Sequence, residues 1–456
     1  MYWGICKNCN QENTGYQWCK TCNAKQFQQD FKNWASGNDD IDKFIQNIQL
    51  SADKYFKVLE WIPYDRFFNI EYVAKGGFGK VYRANWVDGY ICKWRNKFQT
   101  WKRKDQNMFV ALKSLNNSEN VTFEFINEIT LHNEISVKTT CVVRPHGITQ
   151  DPKTKNYVMV LKYAENGSLR NYLNESYNEL TWENKIQYLW CIANGLNIIH
   201  EKELIHRDLH IGNILYFSDY ASITDMGLCR PADYNKSENT KNSLYGVLPY
   251  IAPEILRKQN YTKAADVYSF GIIMYEVISG LPPYHDISHD KNLAIKICQG
   301  LRPRFNTKVP RLIVRLIKRC LDANPLNRPT AKEIKNILNK WFYECDRFKN
   351  DHINKIETEL LKQIKEIEDN NNNLSTSNIS LTSLSYRTHS EAIYTSRLLN
   401  FNNLPEPKNS DDYYDERNDN IISKEYSESL QIDISQLKFI INNTDKPESI
   451  KETNKK

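Results

Sequence analysis

The stretch HRDLHIGNIL, residues 206–215, sets an Asp and an Asn five residues apart among apolar neighbours, and the rest of the chain is organised around it. That spacing suits metal-phosphate chemistry. Asp208 is placed to accept a proton from an attacking hydroxyl, and Asn213 on the same loop can offer an amide oxygen to a magnesium ion. Leu209, Ile211, Ile214 and Leu215 are placed to hold the loop by burial. An HRD tripeptide alone is a weak signal, so its weight depends on companion motifs appearing in order.

Outward from this loop the companions appear. Downstream, SITDMGLCR puts Asp225 at the end of an apolar run, and GVLPYIAPE closes a polar span with Ala252, Pro253 and Glu254. DVYSFGIIMYEVISG is apolar around most of its circumference, as a helix running through the centre of a lobe should be. Upstream, from about residue 68, the apolar period becomes two and gives the strand NIEYVAKGG, a glycine turn and then KVYRANW. Gly76, Gly77 and Gly79 would let backbone amides approach phosphates, with Phe78 closing the tip and Val81 placed to touch a nucleobase. In VALKSL, Lys113 shares a strand face with Ala111 and Leu115 and points at the same cleft. The helical stretch FEFINEITLHNEI carries Glu124, Glu128 and Glu134, and NYVMVLKYAENGSLRNYL reads as a buried strand, a hinge and a helix.

Together these motifs resemble the eukaryotic protein kinase domain of the tyrosine-kinase-like type, over about residues 68–341. The resemblance implies an α+β bilobal fold: a small β-rich N-lobe with a mixed five-stranded sheet, a helical C-lobe, and ATP with Mg²⁺ between them. It implies Asp208 as the residue that orients the acceptor hydroxyl, Glu128 as the partner holding Lys113 on the phosphates, and Asn213 and Asp225 as the magnesium ligands. Leu161 becomes the gatekeeper, and Lys162, Tyr163 and Ala164 offer backbone groups to adenine. Asp266 would brace the catalytic loop, and Arg328 in NPLNRPT would pair with Glu254. The chain departs from the family pattern at Ala74, the first glycine position of the turn, and at Met226, where the family has Phe. His210 and Val247 stand where Ser/Thr-specific members carry Lys and Thr, and Gly212 where tyrosine-specific members carry Arg. The expected function is transfer of the γ-phosphoryl group of MgATP to protein hydroxyls in intracellular signalling, Ser/Thr favoured and Tyr open. The alternative is a pseudokinase scaffold that only binds partners. Arg207, beside the catalytic Asp, would be neutralised by a phosphate on Ser237, Thr240, Ser243 or Tyr245.

Near the N-terminus, Cys6, Cys9, Cys19 and Cys22 form two C-x-x-C knuckles, a ligand set for structural Zn²⁺ in a ribbon over residues 1–25. Trp3, Asn13 and the loop between the knuckles resemble the Ran-binding-protein zinc finger, with a loop about one residue short, which leaves a protein or an RNA partner open. Residues 26–67 read as a helical linker in which Gly37 and Asn38 end the first helix and Asp39 or Asp40 caps the second. ICKWRNKFQTWKRKDQN, residues 91–107, reads as a solvated basic loop, with nucleic-acid binding by residues 1–110 as a further alternative. After the kinase-like region, residues 342–368 carry Ile353, Ile356, Leu360, Ile364 and Ile367 at three-four steps, as a docking helix or a weak coiled coil. Residues 369–456 have the composition of a disordered tail, and the island EAIYTSRLLNFNNLPEP within it is either a short docking motif or a stray apolar patch.

Composition sets outer bounds. At 456 residues with 40% apolar content, the chain can form one large two-lobed domain plus accessories. A net charge of +6 spread over both signs does not call for nucleic acid. No apolar run of about 18 residues is present to cross a bilayer, and the start MYWGICKNCN lacks secretory-signal order. Seven single cysteines without a pairing pattern suit a reducing compartment, so an intracellular and cytoplasmic setting is expected, with protein substrates as partners and oligomeric state unspecified.

Overall fold

The computed structural model describes residues 2–75, 79–115, 123–231, 244–350, 357–375 and 386–411. The two cysteine knuckles lead directly into helix α1 (Lys20–Asp30), so the expected ribbon boundary at residue 25 falls inside a helix. Gly37, at φ 82°, breaks the chain before α2 (Asp39–Ser51). The cap of α2 is Asn38 and not Asp39 or Asp40: its side-chain oxygen accepts from the amides of Asp40 (2.9 Å) and Ile41 (3.2 Å). The two aspartates already lie in the first turn, where their charge meets the positive end of the helix dipole. Ile41 and Ile45 of α2 are fully buried against Leu59, Phe125, Ile129 and Ile148. The expected linker is therefore part of the N-lobe core.

The N-lobe is built on a sheet of six strands, one more than expected. Its members are β1 (Glu60–Trp61), β2 (Phe67–Lys75), β3 (Gly79–Trp86), β6 (Met108–Leu115), β7 (Pro145–Gln150) and β8 (Tyr157–Lys162), in the order β1-β7-β8-β6-β3-β2. All neighbours are antiparallel except β1, which adds to the edge parallel to β7. Gly147 makes that addition possible, since a Cβ there would lie 2.1 Å from the Glu60 carbonyl oxygen. Helix α3 (Phe123–Ser136) packs on this sheet.

The basic stretch after β3 is not a solvated loop but a hairpin of β4 (Tyr90–Arg95) and β5 (Thr100–Lys104). Its aromatic content explains the difference. Trp101 stacks on Phe27 at 4.3 Å and on Trp18 at 5.9 Å between ring centroids, which ties the hairpin to the cysteine ribbon. Arg103 of β5 pairs with buried Glu60, and Trp18 donates its indole N–H to the Ala52 carbonyl at 2.9 Å. With Trp101 committed to this packing, it cannot stack on a base.

The C-lobe begins with α4 (Leu169–Ser176) and α5 (Trp182–Glu201), the latter started by a reciprocal capping box between Thr181 and Asn184. There follow β9 (Leu204–Ile205), β10 (Ile214–Phe217), β11 (Tyr220–Ile223), β12 (Arg230–Pro231) and β13 (Leu244–Gly246). Helices α6 (Pro253–Leu256), α7 (Lys263–Ser279), α8 (Lys291–Cys298) and α9 (Arg311–Cys320) complete the lobe. Helix α7 is buried along nearly its whole length, as its sequence requires, and ends at Gly280 with φ 72°.

Arg328 and Glu254 meet as expected, with guanidinium nitrogens 2.7 and 2.8 Å from the two carboxylate oxygens, both groups buried. Breaking such a pair from one side leaves an uncompensated charge. Arg328→Ala is expected to lower the unfolding free energy by about 3–5 kcal/mol, read as a fall in the urea midpoint. An unchanged midpoint would contradict the pair's structural role.

The C-terminal region departs most from expectation. Helix α10 (Ala331–Asn350) passes through the expected boundary at residue 341 and stacks Phe342 on Trp190 at 6.0 Å. Helix α11 (Glu359–Ser375) passes through the boundary at residue 368, and its Leu360, Leu361 and Ile364 are buried in the C-lobe core. The apolar stripe thus packs on its own lobe instead of forming a coiled coil; Ile353 and Ile356 lie outside the described residues. Within the expected disordered tail, residues 386–411 lie against the C-lobe, with β14 (Arg397–Leu399) paired to β13. Among the described residues no helix is long and apolar enough to cross a membrane.

Candidate active site

Short loops on the C-lobe and two N-lobe elements bring five charged or amide side chains into one cleft. Lys113 on β6 reaches Glu128 of α3 at 2.6 Å and Asp225 at 2.9 Å. Burial works against the ammonium charge, but the two carboxylates outweigh it and hold Lys113 in its charged form. The same balance acts on Asp225, where burial raises and Lys113 lowers, and the carboxyl ends below its usual range. Met226, following it, is fully buried, so it fills an apolar site as a Phe would.

The catalytic-type loop is fixed by one buried carboxylate. Asp266, at the start of α7, accepts from the amides of His206 (2.8 Å) and Arg207 (3.0 Å) and from His200 Nε2 (2.9 Å). Burial opposes its charge, yet these bonds prevail and keep it below the ordinary range. The braced loop leaves Asp208 only 7% exposed. Burial, opposed by a bond from the Ser396 hydroxyl and reinforced by the charge of Asp225, pushes the Asp208 carboxyl up to about 6. Asn213 donates its amide N–H to the Asp208 carbonyl at 3.0 Å, which turns its amide oxygen to the other side, as a metal ligand requires. Burial pushes His210 down to about 3, so it is neutral at ordinary pH.

Gly76, Gly77 and Phe78 lie outside the described residues. Gly79 and Val81 sit on β3, where Val81 is opposite Lys113, and Ala111 on β6 is opposite Leu161 on β8. Leu161 is buried. The Lys162 side chain turns away to the Tyr220 hydroxyl at 2.6 Å, and the Ala164 carbonyl accepts from Gly167 in the turn that follows. Ser237, Thr240 and Ser243 lie outside the described residues, whereas Tyr245 is part of β13 and Arg207 lies over the Tyr261 ring at 4.4 Å.

Two residues near Asp208 carry little signal in the sequence. His210 is visible there only as a departure from a family pattern, and its ring sits 3.8 Å from the Asp208 carboxylate. Ser396, from the far C-terminal region, donates to Asp208. Its only sequence signal is the apolar island around it.

At the ribbon, the four cysteine sulfurs all lie within 4.8 Å of one another, with Cys6–Cys22 at 3.8 Å and Cys9–Cys19 at 3.6 Å. A tetrahedron of Zn–S bonds near 2.3 Å needs sulfurs about 3.8 Å apart, so the donor set fits zinc. Asn8 directs its amide at the Cys6 sulfur (3.5 Å), a contact that favours a thiolate there.

Known proteins similar to this chain are named as protein kinases. A protein named a probable serine/threonine-protein kinase from Arabidopsis thaliana is 26% identical over 286 residues, covering 58% of this chain and 65% of its own length. A probable LIM domain-containing serine/threonine-protein kinase of Dictyostelium discoideum is 30% identical over 272 residues, 59% of this chain and 38% of that one. A tyrosine-protein kinase of Girardia tigrina is 28% identical over 267 residues, 57% and 50% respectively. The chain spans less than two-thirds of the length of these curated relatives. Residues 69–338 match the family described as protein tyrosine and serine/threonine kinase, against 68–341 expected, and the chain belongs to that family.

Proposed function

We propose that the chain is an active protein kinase that transfers the γ-phosphoryl group of MgATP to protein hydroxyls, with Ser and Thr preferred. The observation that carries this reading is Lys113 bonded at once to Glu128 and Asp225, because a scaffold that binds no phosphate or metal has no need of a buried ammonium–carboxylate pair with a second, partly exposed carboxylate turned onto it from the cleft. MgATP, when bound, supplies the phosphoryl group and a metal that neutralises developing charge. Lys113 would hold the phosphates, Asp225 and the Asn213 amide oxygen would hold the metal, and Asp208 would align the acceptor hydroxyl and take its proton. Gly76, Gly77, Phe78, Gly79, Val81, Ala111, Leu161 and the backbone of Lys162, Tyr163 and Ala164 would enclose the nucleotide. Cys6, Cys9, Cys19 and Cys22 would carry a structural zinc. A reducing, intracellular setting goes with this reading, as the seven single cysteines without a pairing pattern suggest. Serine and threonine are preferred because two of the three relatives described above are named for them, although His210, Val247 and Gly212 complete neither specificity signature.

The test is purified protein with labelled ATP and Mg²⁺, with the phosphorylated amino acid identified. Absence of transfer would favour the partner-binding pseudokinase, and phosphotyrosine as sole product would overturn the Ser/Thr preference. A pH profile gives a second check. Asp208 accepts a proton only when ionised, so kcat/KM should fall as pH drops through about 6, well above the range of about 4 for an ordinary aspartate. Neutral His210 does not titrate there, so His210→Gln should keep the limb in place. A limb near 4 would show that burial does not govern Asp208.

A further inference from the structure

The chain presents one of its own hydroxyls to the proposed base. Ser396 Oγ lies 2.7 Å from Asp208 Oδ2 and 2.9 Å from Oδ1, and 3.2 Å from His210 Nε2. Its single proton goes to Asp208, so the Nε2–H tautomer of His210 completes the arrangement. A separation of about 2.6–3.2 Å from the base is what an acceptor hydroxyl requires.

The flanking backbone holds Ser396 there from both sides. Gly246, Tyr245 and Leu244 pair antiparallel with Arg397, Leu398 and Leu399, and the Tyr245 hydroxyl donates to the Ser396 carbonyl at 3.1 Å. Before Ser396, the Tyr394 ring lies under the Arg170 guanidinium at 4.3 Å and its hydroxyl donates to the Pro283 carbonyl at 3.0 Å. After it, Leu399 is 4% exposed within the C-lobe core, and Arg257 pairs with Glu406. An added strand with side chains seated in pockets on either side of one hydroxyl is how an extended peptide is recognised.

We propose that Ser396 is a phosphoacceptor in cis, and that residues 386–411 fill the groove for protein substrates until Ser396 is phosphorylated. The proposal rests on the kinase reading and adds a substrate to it: a serine in an extended segment, immediately before a strand paired to residues 244–246. In the step, Ser396 Oγ bonds to the γ-phosphorus of MgATP, and the bond from that phosphorus to the bridging oxygen breaks with its electron pair leaving on ADP. The hydroxyl proton passes to Asp208 and then to solvent. The product cannot keep the place of the substrate. A phosphate of about −1.5 to −2 charge would face the buried Asp208 carboxylate, with Asp225 near it, and that repulsion drives the segment out.

The experiment uses the full chain with MgATP and a synthetic peptide copying residues 391–401, mapping phosphorylation sites by mass spectrometry and following peptide phosphorylation with time. The expected result is phosphate on Ser396 at a fractional rate independent of protein concentration, and peptide phosphorylation that accelerates after a lag. Ser396→Ala should abolish the acceleration. Leu399→Asp, which expels a buried anchor, should remove the lag and raise the initial peptide rate on the order of tenfold to a hundredfold. Peptide phosphorylation with Ser396 unmodified would overturn the proposal and leave the kinase reading standing. A Ser396 rate that rises with protein concentration would overturn the cis step. No transfer to either acceptor, in the chain or in Leu399→Asp, would overturn both readings.

Discussion

Asp208→Asn is expected to slow phosphoryl transfer on the order of 10² to 10⁴-fold while the protein melts close to its normal temperature. A positioned general base contributes about that factor, and an amide cannot take the proton. The volume is nearly unchanged, and the amide oxygen can still accept from Ser396, so no cavity results and the Ser396 hydroxyl keeps an acceptor. Asp225→Asn should cost at least as much, because it removes the charge on a proposed metal ligand. It too should stay folded: Glu128 remains 2.6 Å from Lys113 and keeps the ammonium paired. Lys113→Met is a less discriminating probe. It strands Glu128 as a buried carboxylate, at about 3–5 kcal/mol of stability, and takes the cation from Asp225 as well, so loss of rate and loss of fold arrive together. Initial rates with labelled ATP beside thermal melts by circular dichroism separate the two. Rates near normal in Asp208→Asn and Asp225→Asn would remove both residues from the proposed chemistry. The double variant should be little worse than the poorer single one, since groups acting on one transition state are not additive.

What can be read from the chain ahead of its fold follows a physical division. Metal-phosphate chemistry restricts residue type at short spacing, so Asp208 and Asn213 stand out by themselves, whereas Lys113 and Asp225 are picked out through the resemblance to protein kinases, which also favours Glu128 among three glutamates. The burial of α7 is legible because a helix of 17 residues, apolar on nearly every side, leaves no face for water. Strand β1 is only two residues long, too short for any periodicity, and exists because Gly147 lets Glu60 approach. The β4–β5 hairpin carries so many cations that its aromatic seam is masked; Trp101 is read as core only once Phe27 and Trp18 are beside it. Residues 386–411 are least legible. Their one strand has three residues, and their anchors reach partners 151 and 188 positions away in sequence, a range at which local composition says nothing. Polar, Asn-rich composition argues against a self-contained core, and this segment has none: it borrows the core of the C-lobe.

About one Zn²⁺ per chain should bind through Cys6, Cys9, Cys19 and Cys22, and a zinc-selective chelator, with Mg²⁺ kept in excess, should melt the ribbon while leaving phosphoryl transfer largely intact. The four sulfurs sit at tetrahedral spacing, and the knuckles bury little besides Cys6, Cys19 and Trp18, too small a core to persist unaided. Binding energy in such sites is folding energy, on the order of 10–16 kcal/mol in small zinc modules, which no packing of so few residues can replace. The consequence should be visible in Trp18. It is fully buried, stacked near Trp101 and bonded to the Ala52 carbonyl, so metal loss should expose it and shift tryptophan emission to the red. The disturbance should stop at the β4–β5 hairpin and residues 52–53. The ribbon bonds to the Ala52 and Asp53 carbonyls and to Lys93 and Asn96 of the hairpin, whereas Lys113, Glu128, Asp208 and Asp225 are held by one another and by the C-lobe loop. Elemental analysis and emission spectra before and after chelation decide the matter, with Cys9→Ser and Cys22→Ser expected to reproduce the chelated state. Zinc-free protein with an unshifted spectrum would show that the knuckles close without metal, and loss of phosphoryl transfer in step with the spectral change would show that the ribbon supports the N-lobe more deeply than its contacts indicate.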